Sequence, residues 1–241
     1  MDFSIIIPIY NNENTIITTW ETLDKNSKEV NFPVNFIFID DGSNDRSVEF
    51  LEIKKKHDNR IKIIQFDKNY GQLAAIYAGL IHSNSTYTLL ISADLQEEEN
   101  LASNFIINAE KNKNTDLFIG LRKKNTDFFI FKIFSKLFYK LIQLKIKKMP
   151  QNGFDTFCIR YDLKEKFIAS FEKSLFGQLS LIELSNDILY VSYNRKKSAT
   201  NKFYLKSILF KISYFYSCLK YVYYDKGKSK KINPPYFKIK E

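Results

Sequence analysis

The sequence predicts an α/β domain built on a mostly parallel sheet. Three observations carry this. Across residues 1–120, short apolar β-prone runs alternate with helix-period stretches; polar residues gather in the loops that follow the runs; and neither an internal repeat nor a Gly/Ser- or Pro-rich linker divides the chain.

The elements follow in order. "SIIIPIY" (4–10) is the first strand; it lacks a basic flank and is too short for a signal peptide. A helical period begins near Glu13. "VNFIFID" (34–40) is the second strand, and it runs into Asp40, Asp41, Gly42 and Ser43, a tight turn in which Ser43 to Asp45 suit the cap of a helix starting near Asp45. "IKIIQF" (61–66) is the third, followed by Asp67, Lys68, Asn69 and Gly71, where another helix begins. "YTLLIS" (87–92) is the fourth; it ends against Asp94, Gln96 and three glutamates, ahead of a helix from near Glu98. "DLFIGL" (116–121) is the fifth. The pattern is βαβαβαβαβ with right-handed crossovers. Ligands of such sheets gather at the carboxyl ends of the strands, which here carry "YNNE", "DDGSND", "DKNYG" and "SADLQEEE". Taken singly, these loops also fit plain turns and caps.

Beyond residue 121 the character changes. "FFIFKIFSKLFYKLIQLKIKK" (128–148) sets Lys132, Lys136, Lys140 and Lys147 at roughly helical spacing among apolar and aromatic residues. Such a helix can lie in a lipid headgroup layer with its lysines snorkelling to phosphates, or turn its aromatics into a core. "FYLKSILFKISYFYSCLKYVYY" (203–224) repeats the theme, and residues 226–241 are expected to hang loose or to lie on an anionic surface. An uncharged apolar run of spanning length, roughly 18 residues, is lacking.

Composition narrows the chemistry. A chain of 241 residues, 44% hydrophobic, buries one sizeable core. Cys158 and Cys218 with His57 and His82 suit neither a zinc site nor a disulfide framework, and they fit a reducing, cytosolic setting; any metal must be held by oxygen. The net charge of +10 is uneven: residues 1–120 hold 11 lysines and arginines against 18 acidic residues, residues 121–241 hold 26 against 9. A basic second half points to an anionic partner, although an AT-rich genome would also enrich lysine. Nucleic acid does not fit, because the strand-end loops are acidic and the aromatics lie in apolar stripes rather than on a stacking platform.

Taken together, "SIIIPIYNNE", "FIFIDDGSNDRS", "NYGQLAAIYAGL" and "ISADLQEEE" resemble the inverting GT-A glycosyltransferases of family 2, and the "ADLQ" form resembles the dolichol-phosphate mannose synthase and polyprenyl-phosphate glycosyltransferase branch. The resemblance spans residues 3–205. It implies a GT-A, Rossmann-like domain over 1–205, containing an amphipathic interface helix within 126–148, and then an amphipathic basic helix and tail over 206–241. It also implies a base and ribose pocket lined by Pro8, Tyr10, Glu13, Asp41 and Gly71, with Asp40 and Lys68 close by. Asp94 and Gln96 would hold Mg²⁺ or Mn²⁺ beside the donor diphosphate, since hard oxygen ligands suit those ions. Ser92 stands where relatives carry a second aspartate, so weaker metal affinity is expected.

Further along, Arg122 in "GLRKK" matches the family's G-x-R position and would face a diphosphate or an acceptor phosphate. Asp155 in "NGFDTFCIRYD" matches the acceptor-side carboxylate, a general base for a hydroxyl acceptor or an orienting group for a phosphate. "YNRKKSATNKF" (193–203) resembles the R-x-x-G-x-S-K segment, with Lys196 for Arg, Ala199 for Gly, Asn201 for Ser, Lys202 retained and Arg195 adjacent. The expected activity is sugar transfer from a nucleotide-diphosphate sugar to polyprenyl phosphate by an enzyme resting on the inner face of an anionic membrane. Transfer to a sugar hydroxyl of a lipid-linked glycan and a non-catalytic membrane-docked module are the alternatives. A membrane partner subunit or a homo-oligomer remains open.

Overall fold

A computed structural model of the chain describes residues 1–94, 98–123, 129–170, 177–195, 215–216, 219–220, 222–223 and 237–240. Strands β1 (Phe3–Ile9), β2 (Val34–Asp40), β3 (Ile61–Gln65), β4 (Tyr87–Leu90), β5 (Leu117–Arg122), β6 (Phe157–Arg160) and β7 (Ile188–Tyr193) join one sheet in the order β3-β2-β1-β4-β6-β5-β7. The pairs β1–β2, β2–β3, β1–β4 and β5–β7 are parallel, whereas β6 runs antiparallel to both neighbours. Register levels the strand ends: Ile9 lies opposite Asp40 and Asp40 opposite Gln65, so the loops that follow open on one rim.

Alternation along the central strands divides the core into two layers. Ile5, Ile7, Phe36 and Phe38 pack with Leu23 of α1 (Ile16–Lys28), Leu51 of α2 (Ser47–Lys55) and Phe105 of α4 (Leu101–Lys111). Ile6, Ile37 and Ile39 point the other way, onto Ala74, Ala75 and Ala78 of α3 (Gln72–Ile81). The same layer takes in α5 (Phe129–Gln143), α6 (Tyr161–Ser170) and α7 (Gly177–Leu184). The run of alanines lets α3 lie close, and a Cβ on Gly79 would come within 2.9 Å of Ile39 Cδ1.

All five expected strands form within two residues of their expected bounds, whereas β6 and β7 were not anticipated. β6 has only four residues and follows directly on the segment that resembles an acceptor loop; β7 is an edge strand whose alternate residues face solvent. The insertion of β6 separates β5 from β4, which a simple βαβ series would have placed side by side.

Helix α5 turns one side into the core and leaves another exposed. Phe138 and Ile142 are buried, while Leu137 is 55% exposed and, just past the helix, Leu144 is 68% exposed. The second basic stretch lies mostly outside the described residues, but its described part packs on α5: Phe215 stacks on Phe138 at 4.2 Å, and the Tyr223 hydroxyl donates to the Leu141 carbonyl at 2.6 Å. The expectation of a loose tail does not hold for residues 237–240. Ile239 bridges to Phe66 in antiparallel fashion, with Asp67 N–H donating to Lys238 O at 3.0 Å and Lys240 N–H to Gln65 O at 2.8 Å. An edge strand offers unpaired backbone groups, and this segment takes them up.

Candidate active site

The first two strand-end loops are stitched by reciprocal side-chain to backbone bonds. Asn11 N–H donates to Ser43 Oγ at 2.9 Å and Asn44 N–H to Asn11 Oδ1 at 2.9 Å. Glu13 N–H donates to the Asp45 carboxylate at 2.9 Å, while the Glu13 carboxylate accepts the Arg46 amide at 3.2 Å. Asn and Asp suit such loops because a short polar side chain satisfies backbone groups that have no ladder. Tyr10, 46% exposed, and half-buried Pro8 at the end of β1 lie at the open side of this pair.

Asp40 and Asp41 sit beneath the rim. Asp40 is wholly buried and accepts the Ser43 amide at 3.2 Å on both oxygens. Asp41, 4% exposed, accepts Tyr70 N–H at 2.6 Å and Gly71 N–H at 2.9 Å, so it clasps the loop after β3. Burial pushes both carboxyls above the ordinary carboxylate value, against the opposing pull of these bonds. Gly42 makes the contact between the loops possible: its φ is +74°, and a Cβ there would overlap the Lys68 carbonyl carbon and come within 2.7 Å of Asn69 N. Lys68 is exposed, with its ammonium 5.3 Å from the Tyr70 ring centroid.

The loop after β4 is fixed from α1. Thr15 and Thr19 both donate to the Ala93 carbonyl, at 2.9 and 3.1 Å, and thereby set the place of Asp94. Sequence reasoning passed over these two hydroxyls; their i, i+4 spacing across the start of the first helix was the available signal. Ser92 lines a cavity of ≈ 100 Å³ with Thr22, Glu98 and Glu99. An aspartate at 92 would set a third carboxylate beside those two glutamates, a physical reason for a hydroxyl there.

The second half closes over this rim. Asp155, ahead of β6, pairs with Arg122 at the end of β5; Arg195, two residues past β7, reaches the same Asp155 oxygen at 3.3 Å and Asp94 at 3.7 Å. Four residues singled out separately along the sequence thus form one alternating-charge chain, Asp94–Arg195–Asp155–Arg122. Arg195 is the most buried of them, its side chain 21% exposed, and its Nε has no hydrogen-bond partner among the described residues. Asn194 donates to Glu98, tying the end of β7 to the loop after β4. Gln96, Lys196 and Lys202 lie outside the described residues.

Two guanidiniums facing a carboxylate rim suit a multiply charged oxyanion. Among the described residues no group of three or more His, Cys, Asp or Glu side chains that could hold a metal ion occurs. The donor chemistry at Asp94 nonetheless fits Mg²⁺ or Mn²⁺, ions commonly bound through one or two carboxylates together with substrate phosphates.

Comparison with known proteins agrees with this architecture. The model for "Glycosyl transferase family 2" matches residues 4–168. "Putative glycosyltransferase CsbB" of Bacillus subtilis is 28% identical over 211 residues, covering 85% of this chain and 63% of that protein. The "Undecaprenyl-phosphate 4-deoxy-4-formamido-L-arabinose transferase" of Proteus mirabilis is 31% identical over 123 residues, covering 51% of this chain and 37% of that protein. The chain therefore spans less than two thirds of the length of either relative. Among solved structures, a mannosyltransferase of Pyrobaculum calidifontis in complex with GDP-Man and Mn²⁺ superposes with a TM-score of 0.61 at 13% identity, over 95% of this chain and 65% of that one. This likeness shows the GT-A fold.

Proposed function

The chain belongs to glycosyl transferase family 2, and on that premise we propose that it transfers a sugar from a nucleoside-diphosphate sugar to a polyprenyl phosphate at a membrane face. The observation that carries the proposal is the Asp94–Arg195–Asp155–Arg122 chain at the strand ends. The name of the Proteus relative, which specifies undecaprenyl phosphate, supports the acceptor class.

The base and ribose lie against Pro8, Tyr10 and Glu13 on the first loop, with Lys68 and Gly71 opposite. The diphosphate then extends toward Asp94. An acceptor phosphate oxygen attacks the anomeric carbon, a C–O bond forms there with inversion, and the bond to the β-phosphate oxygen breaks with its electron pair leaving on the nucleoside diphosphate. A divalent cation held by Asp94 and Gln96 with the diphosphate would neutralise the charge gathering on that leaving group. Arg195, beside Asp94, adds a fixed positive charge at the same place, and Arg122 faces the incoming phosphate.

Asp155 holds two guanidiniums, an arrangement for positioning arginines more than for taking up a proton. That favours an acceptor that arrives ionised over a sugar hydroxyl, which needs a base.

The membrane side of the proposal rests on α5 and its surroundings. Lys136 and Lys140 are exposed beside Leu137 and Leu144, and Tyr216 is 69% exposed. Among the described residues no helix is long and apolar enough to cross a membrane. Apolar side chains flanked by lysines suit docking on an anionic bilayer surface.

The test is transfer from labelled UDP-, GDP- and dTDP-sugars to polyprenyl phosphate in liposomes, followed by organic extraction. Label in the organic phase is expected. Label retained in the aqueous phase, from protein that binds the donor, would shift the acceptor to a glycan hydroxyl.

A further inference from the structure

We infer that the segment Phe237–Lys240 is a strap that positions the loop Asp67–Gly71, with Phe237 as the positioning residue. β3 is a sheet edge of five residues, and beyond it the chain turns into that loop. The strap covers the junction. Asp67 N–H donates to Lys238 O and Lys240 N–H to Gln65 O, at 3.0 and 2.8 Å, so the bonds fall on the last residue of β3 and the first residue of the loop.

Aromatic contacts extend the hold into the loop. The Phe237 ring stacks on Phe66 at 4.9 Å and 18°, and Phe66 meets the Tyr70 ring edge-on at 5.7 Å and 85°. Phe237 also meets Tyr77 of α3 at 6.5 Å, which anchors the strap to the helix that follows the loop. Tyr70 in turn delivers its amide to Asp41 at 2.6 Å. The line Phe237–Phe66–Tyr70–Asp41 therefore joins a segment near residue 240 to a buried carboxylate at the end of β2. Removing the strap leaves the backbone of Gln65 and Asp67 to water and takes one face from the Phe66 ring. The loop then loses the support that keeps Tyr70 and Gly71 on Asp41.

The consequence for donor binding rests on the proposed function, but the mechanical claim does not, and the experiment separates them. Hydrogen exchange is followed by NMR on the full chain, on Phe237→Ala, and on Lys240→Pro, which removes the donor to Gln65 and constrains the strap backbone at Ile239 and at position 240. Lys238→Ala, whose side chain is exposed, is the control. In both strap variants the Tyr70 and Gly71 amides should exchange about tenfold faster, while amides of β1 and β4 keep their rates. Unchanged Tyr70 and Gly71 rates, or equal acceleration in β1 and β4, would overturn the strap.

Donor kinetics then supply the second arm: KM for the nucleotide sugar should rise about fivefold with kcat held within about twofold, since a poorly placed loop weakens binding common to ground and transition states. By linkage, a nucleoside diphosphate added to the full chain should slow exchange at Lys240. KM and kcat changing together would overturn the positioning role, and a full chain that binds no nucleoside diphosphate would remove both that role and the reading of the loop.

Discussion

Arg195 donates to the Asp155 carboxylate at 3.3 Å, and its other terminal nitrogen lies 3.7 Å from Asp94. One guanidinium therefore joins the carboxylate proposed for the metal to the one proposed for the acceptor side. Arg195 belongs to the segment after β7 and Asp94 to the loop after β4, so the two halves of the site are joined through charge. A cation beside Asp94 and Arg195 in its present place oppose one another.

Arg195→Gln should consequently tighten Mn²⁺ binding in the absence of nucleotide, by about fivefold if the lost charge is worth ~1 kcal/mol at this partly exposed site. Turnover should fall by at least about tenfold, because the diphosphate loses a fixed positive charge. Electron paramagnetic resonance titration of free Mn²⁺ and steady-state kinetics check the two. Equal Mn²⁺ affinity in both proteins would show that Arg195 does not face the ion.

Arg122→Ala should lower kcat by about 100-fold while changing unfolding free energy by less than ~1 kcal/mol, the usual worth of a partly exposed ion pair. Asp155→Asn should likewise lower kcat, because both guanidiniums lose their charged partner, with a similarly small change in unfolding free energy. Urea denaturation and steady-state kinetics distinguish these outcomes. Losses of stability as large as the losses of activity would make the Arg122–Asp155 pair structural.

Gly42→Ala should destabilise the chain by roughly 1–3 kcal/mol, through a positive φ and an overlap with the Lys68 backbone that a flexible side chain cannot relieve. Because the β2 and β3 loops touch there, nucleoside-diphosphate affinity should fall as well. Denaturation and calorimetry on the variant read both, and a neutral substitution would show that the loops do not need this contact.

Burial raises the Asp40 carboxyl above its ordinary 3.8. The folded chain then holds that proton more tightly than the unfolded chain, so this contribution to stability is whole below pH 3.8 and is lost as pH climbs through the raised value. Asp40→Asn removes the charge and keeps the shape. It should gain stability over the parent above that window and approach parity below it, as measured by urea denaturation across a pH series. Asp58 acts in the opposite sense: its Arg60 hydrogen bonds lower it, so its contribution is present above 3.8 and is lost as pH falls through the lowered value.

Replacing Lys136 and Lys140 by glutamate should release the protein from anionic liposomes and leave nucleotide affinity unchanged. Sedimentation with vesicles rich in acidic lipid checks this. Undiminished co-sedimentation would assign the exposed side of α5 to another partner.

The sequence made the first half of the sheet legible because β1 to β5 are apolar runs closed by polar loops, and local pattern suffices for such strands. It also singled out Asp94, Arg122, Asp155 and Arg195 one by one. Their convergence was not legible, since it depends on β6 inserting antiparallel between β4 and β5, and four residues of "FCIR" carry no period that announces a strand. The clasp of Asp41 on Tyr70 and Gly71 was equally hidden: the sequence identifies an aspartate at a strand end, while burial and two backbone amides decide what it holds. For residues 237–240 composition misled, because their lysines suggested solvent or lipid, whereas the backbone pairs with an open sheet edge.

The most direct test of the four-residue site is calorimetric titration of nucleoside diphosphates into the parent chain and Asp94→Asn, each with and without Mn²⁺. Affinity that strengthens with Mn²⁺ in the parent and loses that dependence in Asp94→Asn is the predicted result. Binding with the same metal dependence in both proteins would contradict the placement of the donor diphosphate at Asp94, and with it the reading of the Asp94–Arg195–Asp155–Arg122 chain as the active site.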